Sequence, residues 1–261
     1  MKRTPLDIDL NYFPAQLHPI IEGAAIYDSS CSPEAKVYYI EKEGGLFLKA
    51  SAKGTLRAEA EMTAYFHRKS LSPEVLSYFS EAQDWLLTRA APGEDCIEPK
   101  YLADPKRLCD TTAELLRWLH DHPYDGCPVP NRTEVYLNTV YQNKARGHYD
   151  ITLFPPEWGY LSPEEAWAEV NANGKYLHTD TLLHGDYCLP NIILQNWHFS
   201  SFIDVGCGGV GDRHIDLFWG VWSLLYNLKT NAYYDRFLDA YGRDQVSPDV
   251  FHTIAACEIF G

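Results

Sequence analysis

Two short β-type runs lie near the start of the chain, Val37–Ile40 and Leu46–Ala50. Glu41–Gly45 joins them, and Gly44-Gly45 supplies the backbone freedom of a tight turn. The period then changes: Leu56, Glu59, Met62 and Phe66 recur at helical spacing between Leu56 and Arg68. Pro73 precedes a further extended stretch, and Asp84–Thr88 reads as another strand. Ala91-Pro92-Gly93 breaks the pattern and predicts a boundary, with a nucleotide-binding unit over 1–91 and a catalytic unit over 92–261. Beyond it helices dominate. Asp110–Leu119 carries Ala113, Leu116 and Leu119 on one stripe, and Asp216–Leu228 is an apolar helix. Thr181–Leu183, Ile192–Leu194 and Phe202–Val205 read as short strands around one polar loop. A β-rich front and a helical back with a strand–loop–strand centre predict an α+β, bilobal architecture.

That central loop carries the chemistry. Leu182-Leu183 delivers His184-Gly185-Asp186, four residues follow, and Asn191 opens the apolar run Ile192-Ile193-Leu194. Phe202-Ile203-Asp204-Val205-Gly206 then places one more acid at a strand end. Phosphoryl transfer from Mg-ATP needs a carboxylate to orient the attacking hydroxyl and receive its proton. It also needs an amide oxygen and a second carboxylate to hold the metal that bridges the phosphates. The kinase catalytic loop spaces its Asp and Asn as Asp186 and Asn191 are spaced here. Asp186 is therefore the candidate catalytic residue, Asn191 and Asp204 are the candidate Mg²⁺ ligands, and His184 reads as structural.

The front unit should hold the nucleotide. Phe47-Leu48-Lys49 puts a lysine at alternating phase on a strand, within reach of the α- and β-phosphates. An acid on the next helix would fix the ammonium: Glu59 is the choice and Glu61 its competitor. Ser29-Ser30-Cys31-Ser32 could offer backbone N–H groups and hydroxyls to phosphate. One competing motif is Gly206-Cys207-Gly208-Gly209-Val210-Gly211, which matches the dinucleotide fingerprint G-x-G-x-x-G. Too little chain follows it to complete a doubly wound domain, and no second strand ending in an acid appears at the required distance.

Charge narrows the partners. Acids outnumber Lys plus Arg 36 to 22, a formal net charge of −14, which argues against general nucleic-acid binding and suits cationic ligands. Seven scattered cysteines without a C-x-x-C pair fit reduced thiols in the cytoplasm. The first residues, MKRTPLDIDLNYF, carry acids where a signal peptide needs an apolar run, and no stretch approaches the ~18 apolar residues of a membrane span. No protein partner is implied.

With these residues in view, the chain resembles the aminoglycoside 3′-phosphotransferases, the neomycin/kanamycin kinase family. The resemblance runs from about Asp28 onward, through CSPEAKVYYI, DWLLTRAAPGEDC, LLRWLH, HGDYCLPNI, FIDVGCGGVGDRHID and EIF. It implies a protein-kinase-like fold, with a small β-rich N-lobe and a larger helical C-lobe. It also implies transfer of the γ-phosphate of ATP to a sugar hydroxyl with Mg²⁺. By the same resemblance Phe47 stacks on adenine, the hinge from Arg89 to Ala91 binds the base, and Ser32 serves the phosphate loop. Acceptor ammonium groups would meet Glu258, Asp150 and Glu157. The acceptor side departs from the family pattern. Cys207 stands where arginine is common, and Trp222, Ser223, Tyr226 and Asn227 stand at usually charged positions. Cys257-Glu258 replaces a pair of acids, and Gly261 after Phe260 displaces the terminal carboxylate used as a ligand. Retained phosphotransfer with a less cationic or more aromatic acceptor is the expectation. The alternatives are a kinase of another small alcohol, choline- or homoserine-like, and a non-catalytic nucleotide-binding module.

Overall fold

The computed structural model describes residues 3–31, 35–152, 160 and 162–261. Along the chain run strands β1 (Thr4–Pro5), β2 (Ala25–Asp28), β3 (Ala35–Glu41), β4 (Leu46–Ala52), β5 (Val75–Ser80), β6 (Gln83–Arg89), β7 (Glu94–Asp95), β8 (Thr181–Leu183), β9 (Ile192–Gln195), β10 (His198–Phe202) and β11 (Gly209–Gly211). The helices are α1 (His18–Ile21), α2 (Arg57–Arg68), α3 (Pro99–Leu102), α4 (Pro105–His120), α5 (Arg132–Arg146), α6 (Pro163–Asn173), α7 (His214–Leu228), α8 (Tyr234–Tyr241) and α9 (Pro248–Glu258). The chain forms two compact units. The first comprises Met1–Asp95 with Ile193–Gly206, the second Cys96–Ile192 with Cys207–Gly261. This differs from the contiguous division expected after residue 91, because a hairpin from the far side of the central loop returns to the first unit.

The first unit is an antiparallel sheet ordered β1-β2-β3-β4-β6-β5. Alternation sets its two faces: Leu46, Leu48 and Ala50 are buried while Phe47 and Lys49 are half-buried on the other side. Phe13, Leu17 and Ile21 cover the first face with Trp85 and Leu87, and Leu56 and Ala60 pack against Leu86. β9 and β10 pair with each other and β9 with β7, Glu94 opposite Leu194 and Asp95 opposite Ile193.

The second unit is helical. α4 packs on α7 and α8, and α9 packs on α6 and α7. Side-chain caps start several helices, with Asp104 accepting from the Arg107 N–H, Asn131 from Glu134 and Ser247 from Val250. One small two-stranded sheet interrupts the helices: β8 pairs antiparallel with β11, Leu183 opposite Gly209 and Thr181 opposite Gly211. The glycine motif therefore does not open a helix in the dinucleotide-binding manner. Its residues are small because space is short. A Cβ on Gly209 would lie 2.9 Å from Val129 and Arg132, and one on Gly211 would lie 2.7 Å from Leu183. The strand expected over 202–205 ends at Phe202, and Asp204 follows with φ +56°. Among the described residues no helix is long and apolar enough to cross a membrane.

Candidate active site

In the first unit the strand lysine is shared by two carboxylates. Lys49 Nζ donates to Glu59 Oε2 and to Asp204 Oδ1, each at 2.8 Å. Glu59 sits in the first turn of α2, and a turn beginning at Val205 returns the chain to it. Gly206 packs there so closely that a Cβ would stand 3.0 Å from that of Glu59. Glu61 points away and pairs with Arg57 on the exposed side of the helix, which assigns the Lys49 contact to Glu59. Burial works against the ammonium, but the charges of Asp204 and Glu59 overcome it and hold the Lys49 pKa well above its usual value. Burial and Asp204 together lift the Glu59 carboxyl above the ordinary range, with Lys49 opposing them.

Of the other residues expected to serve the nucleotide, Phe47, Arg89 and Ala91 lie on the same unit. Phe47 faces Tyr39 across the β3–β4 ladder, with ring centroids 5.3 Å apart, and the Arg3 guanidinium lies 3.4 Å over Tyr39. Arg89 ends β6. Its side chain pairs with Glu74 at 2.8 Å and its backbone N–H donates to the Glu74 carbonyl, while Ala90 donates to Gly45. Ala91 follows, half-buried. Ser30 is committed to its own loop: its hydroxyl accepts from the Val37 N–H and its N–H donates to Asp28. Ser32 lies outside the described residues.

In the second unit Asp186 and Asn191 form one hydrogen-bonded pair. The Asn191 amide nitrogen donates to Asp186 Oδ2 at 2.9 Å and to its carbonyl at 3.0 Å. With the nitrogen engaged, the amide oxygen is the ligand atom that Asn191 can offer. The backbone of the loop is set by Gly185. Its φ of +85° and its approach to the Cys207 carbonyl leave no room for a side chain. His184 is buried, and its Nδ1 accepts from the Asp186 N–H at 3.3 Å, a structural use.

What the motif reading missed is the group that holds the loop. Asp216, fully buried in the first turn of α7, accepts from the His184 N–H through Oδ2 and from the Gly185 N–H through Oδ1, both at 2.7 Å. The His120 imidazole lies 3.2 Å from Oδ2, and its other nitrogen is 2.8 Å from the Tyr241 hydroxyl. Burial pushes the His120 pKa down despite Asp216, so the ring is neutral. A carboxylate only accepts, which places the proton on Nε2 and leaves Nδ1 to accept from Tyr241. A second buried acid, Asp212, orients the start of α7 by accepting from the N–H groups of His178 and His214. One signal could have found Asp216: an acid inside a strongly apolar helix is costly unless it is hydrogen-bonded.

Of the acceptor candidates, Glu258 at the end of α9 is enclosed, only 4 % exposed. Its Oε1 accepts from the Tyr136 hydroxyl at 2.8 Å and from the Trp219 indole N–H at 3.2 Å. Burial lifts its pKa to about 7; Tyr136, Trp219 and Arg132 oppose the rise and Asp186 adds to it. Asp150 is exposed. Its carboxylate accepts from Thr152 and its N–H donates to the Ile259 carbonyl, beside Glu258 in sequence. Glu157 lies outside the described residues.

A sheet unit with a strand lysine on a helix glutamate, and a helical unit with an Asp–Asn loop, define a kinase-like phosphotransferase fold. Residues 33–251 match the model of the phosphotransferase enzyme family. A Lactococcus lactis protein named "Probable aminoglycoside 3′-phosphotransferase" is 48 % identical over 98 % of both chains. The crystal structure of an aminoglycoside 3′-phosphotransferase of type VIII superposes with a TM-score of 0.76 at 25 % identity, over 94 % of this chain and 97 % of that one. An aminoglycoside phosphotransferase of Streptomyces rimosus, solved with ADP and streptomycin, gives 0.71 at 20 % identity over 98 % and 100 %. The chain belongs to the phosphotransferase enzyme family, among its aminoglycoside 3′-phosphotransferase members.

Proposed function

We propose that this enzyme transfers the γ-phosphate of Mg-ATP to a hydroxyl of an aminoglycoside-like acceptor, with Asp186 as the catalytic carboxylate. The observation that carries the reading is the Asp186–Asn191 pair, held in a loop whose backbone N–H groups are fixed by buried Asp216. Asp186 orients the acceptor hydroxyl and takes its proton as the bond from the acceptor oxygen to the γ-phosphorus forms and the bond from that phosphorus to the β,γ-bridging oxygen breaks, ADP being the leaving group. Lys49, fixed by Glu59, binds the α- and β-phosphates. Phe47 stacks on the base, the backbone of Arg89 and Ala91 hydrogen-bonds its edge, and Ser32 belongs to the phosphate loop. Glu258, Asp150 and Glu157 meet the ammonium groups of the acceptor.

The donor set suits magnesium. One ammonium against two carboxylates leaves the Lys49–Glu59–Asp204 group with an excess anionic charge, and the Asp204 side chain is 48 % exposed. Among the described residues no group of three or more His, Cys, Asp or Glu side chains could hold a metal by itself. Magnesium takes oxygen donors such as a carboxylate and an amide oxygen, together with phosphate oxygens and water. Asn191 and Asp204 would hold it, and the ion would supply positive charge against the phosphates of the nucleotide.

Two measurements test the assignments directly. Lys49→Ala removes a charged hydrogen-bond donor and is expected to raise the KM for ATP about 10- to 100-fold, as the ~1.5–3 kcal/mol of such a bond implies. An unchanged KM would remove Lys49 from the nucleotide site. The second is a pH profile. Glu258 titrates at about 7, facing Tyr136 and Arg132 from α5, Cys257 on its own helix and the Asp186 charge. The carboxylate is neutral below that pH and anionic above it, so the KM for a polycation such as kanamycin should fall as pH rises through this value. Glu258→Gln should flatten the profile; a profile equally steep in the variant would assign the titration to another group.

A further inference from the structure

The surface of α7 beyond Asp216 carries no charge at all: Leu217–Leu228 contains neither an acid nor a base. It carries instead a continuous column of rings. Trp219 and Trp222 meet edge to face with centroids 5.3 Å apart, and Trp222 stacks on Tyr226 at 5.0 Å with an interplanar angle of 14°. The inner end is fixed, since the Trp219 indole N–H donates to Glu258. The outer end is open, with Tyr226 54 % exposed and the Lys229 ammonium 4.0 Å over its ring. The same helix abuts the catalytic loop: Ser223, next to Trp222, accepts from the Leu189 N–H at 2.9 Å, and the loop's Cys188 lies against both Ser223 and Asp186.

Resting on the phosphotransferase reading above, we propose that Trp219, Trp222 and Tyr226 are the specificity-determining wall of the acceptor site. This wall selects a molecule with a flat or apolar ring face and few basic nitrogens over a polycation. A polycation needs a carboxylate for each ammonium it buries. On α7 the one acid, Asp216, is spent on the loop backbone, which leaves ammonium groups only Glu258, whose Oε1 already accepts from Tyr136 and Trp219, with Asp150 and Glu157 from elsewhere in the chain. Aromatic faces contribute what remains, contact with the C–H face of a sugar or with an aryl ring, and room for a single cation over a ring face as Lys229 occupies now.

The test is calorimetric titration of p-nitrophenyl glucosaminide, a monobasic aryl glycoside, into the whole protein, with kanamycin alongside. For the glucosaminide, Trp222→Leu is expected to weaken binding about 3- to 10-fold and Trp222→Phe to restore it within about twofold, the size of one aromatic contact. Tyr226→Leu, at an exposed position, should act in the same direction. Equal affinity in Trp222→Leu and the parent protein overturns the wall, and so does failure of the glucosaminide to bind the parent. Phosphate transfer measured on the same samples separates the two readings. Ring-dependent binding without transfer to any acceptor refutes the phosphotransferase reading and leaves the wall standing. Transfer with ring-independent binding does the reverse.

Discussion

Asp186→Asn should lower kcat about 10²- to 10⁴-fold, the contribution of a positioned general base, while leaving nucleotide affinity unchanged. The substitution is nearly isosteric. Its amide oxygen can still accept from the Asn191 side chain, which now contacts Oδ2 at 2.9 Å, and the loop carbonyl that takes the second Asn191 bond at 3.0 Å is untouched. What is lost is the basicity that receives the acceptor proton. Single-turnover rates with saturating ATP, beside equilibrium binding of an ATP analogue, separate the two effects. A fall of less than about tenfold would move the general base elsewhere.

Asp216→Asn is the second large effect, and it acts through the loop rather than on the reacting groups. Both carboxylate oxygens accept a backbone N–H at 2.7 Å, one from His184 and one from Gly185. An amide has one oxygen, so its NH₂ would face a buried N–H with no acceptor between them. Leaving a buried donor unsatisfied costs ~1–3 kcal/mol, and the neutral His120 beside Oδ2 loses its charged partner as well. A stability loss of about 2–5 kcal/mol is therefore expected, together with a kcat decrease. A folded, equally stable variant with normal kcat would show that the loop does not depend on Asp216. His120→Gln should destabilise less, because the backbone contacts of Asp216 survive it.

Much of this was legible because its signals are contiguous. His184 to Asn191 is one segment, and its spacing points to a kinase loop without tertiary information. Lys49 was legible from strand alternation, which puts it on the half-buried face with Phe47. Which acid of α2 meets it was not, since Glu59 and Glu61 lie on nearly opposite sides of the helix and only the packing of that helix chooses between them. The groups that tie the loop to the helical unit were illegible for a related reason. Asp216 and His120 are 96 residues apart in sequence, and no local pattern links them. The return of Ile193–Gly206 to the sheet unit is likewise a tertiary fact, hidden behind a strand run that reads the same in either unit. The G-x-G-x-x-G match shows the opposite failure: a short motif whose glycines answer to crowding by Val129, Arg132 and Leu183.

The departures at Trp222 and Tyr226 were visible in the sequence as uncharged residues. Only the structure shows them joined into one column, with Trp219 fixed at its inner end by Glu258. The family resemblance therefore carries the reaction further than it carries the acceptor. The loop from His184 to Asn191 matches the motif on which that resemblance rests, while α7 beyond Asp216 presents rings and no charge.

The most direct measurement is phosphorus NMR of the enzyme with Mg-ATP and a hydroxylated amino sugar. A new phosphate monoester on the acceptor is expected, with one ADP formed for each ester, and neither when magnesium is withheld. ADP accumulating without any ester, or an ester forming at the same rate after Asp186→Asn, would contradict phosphate transfer through Asp186.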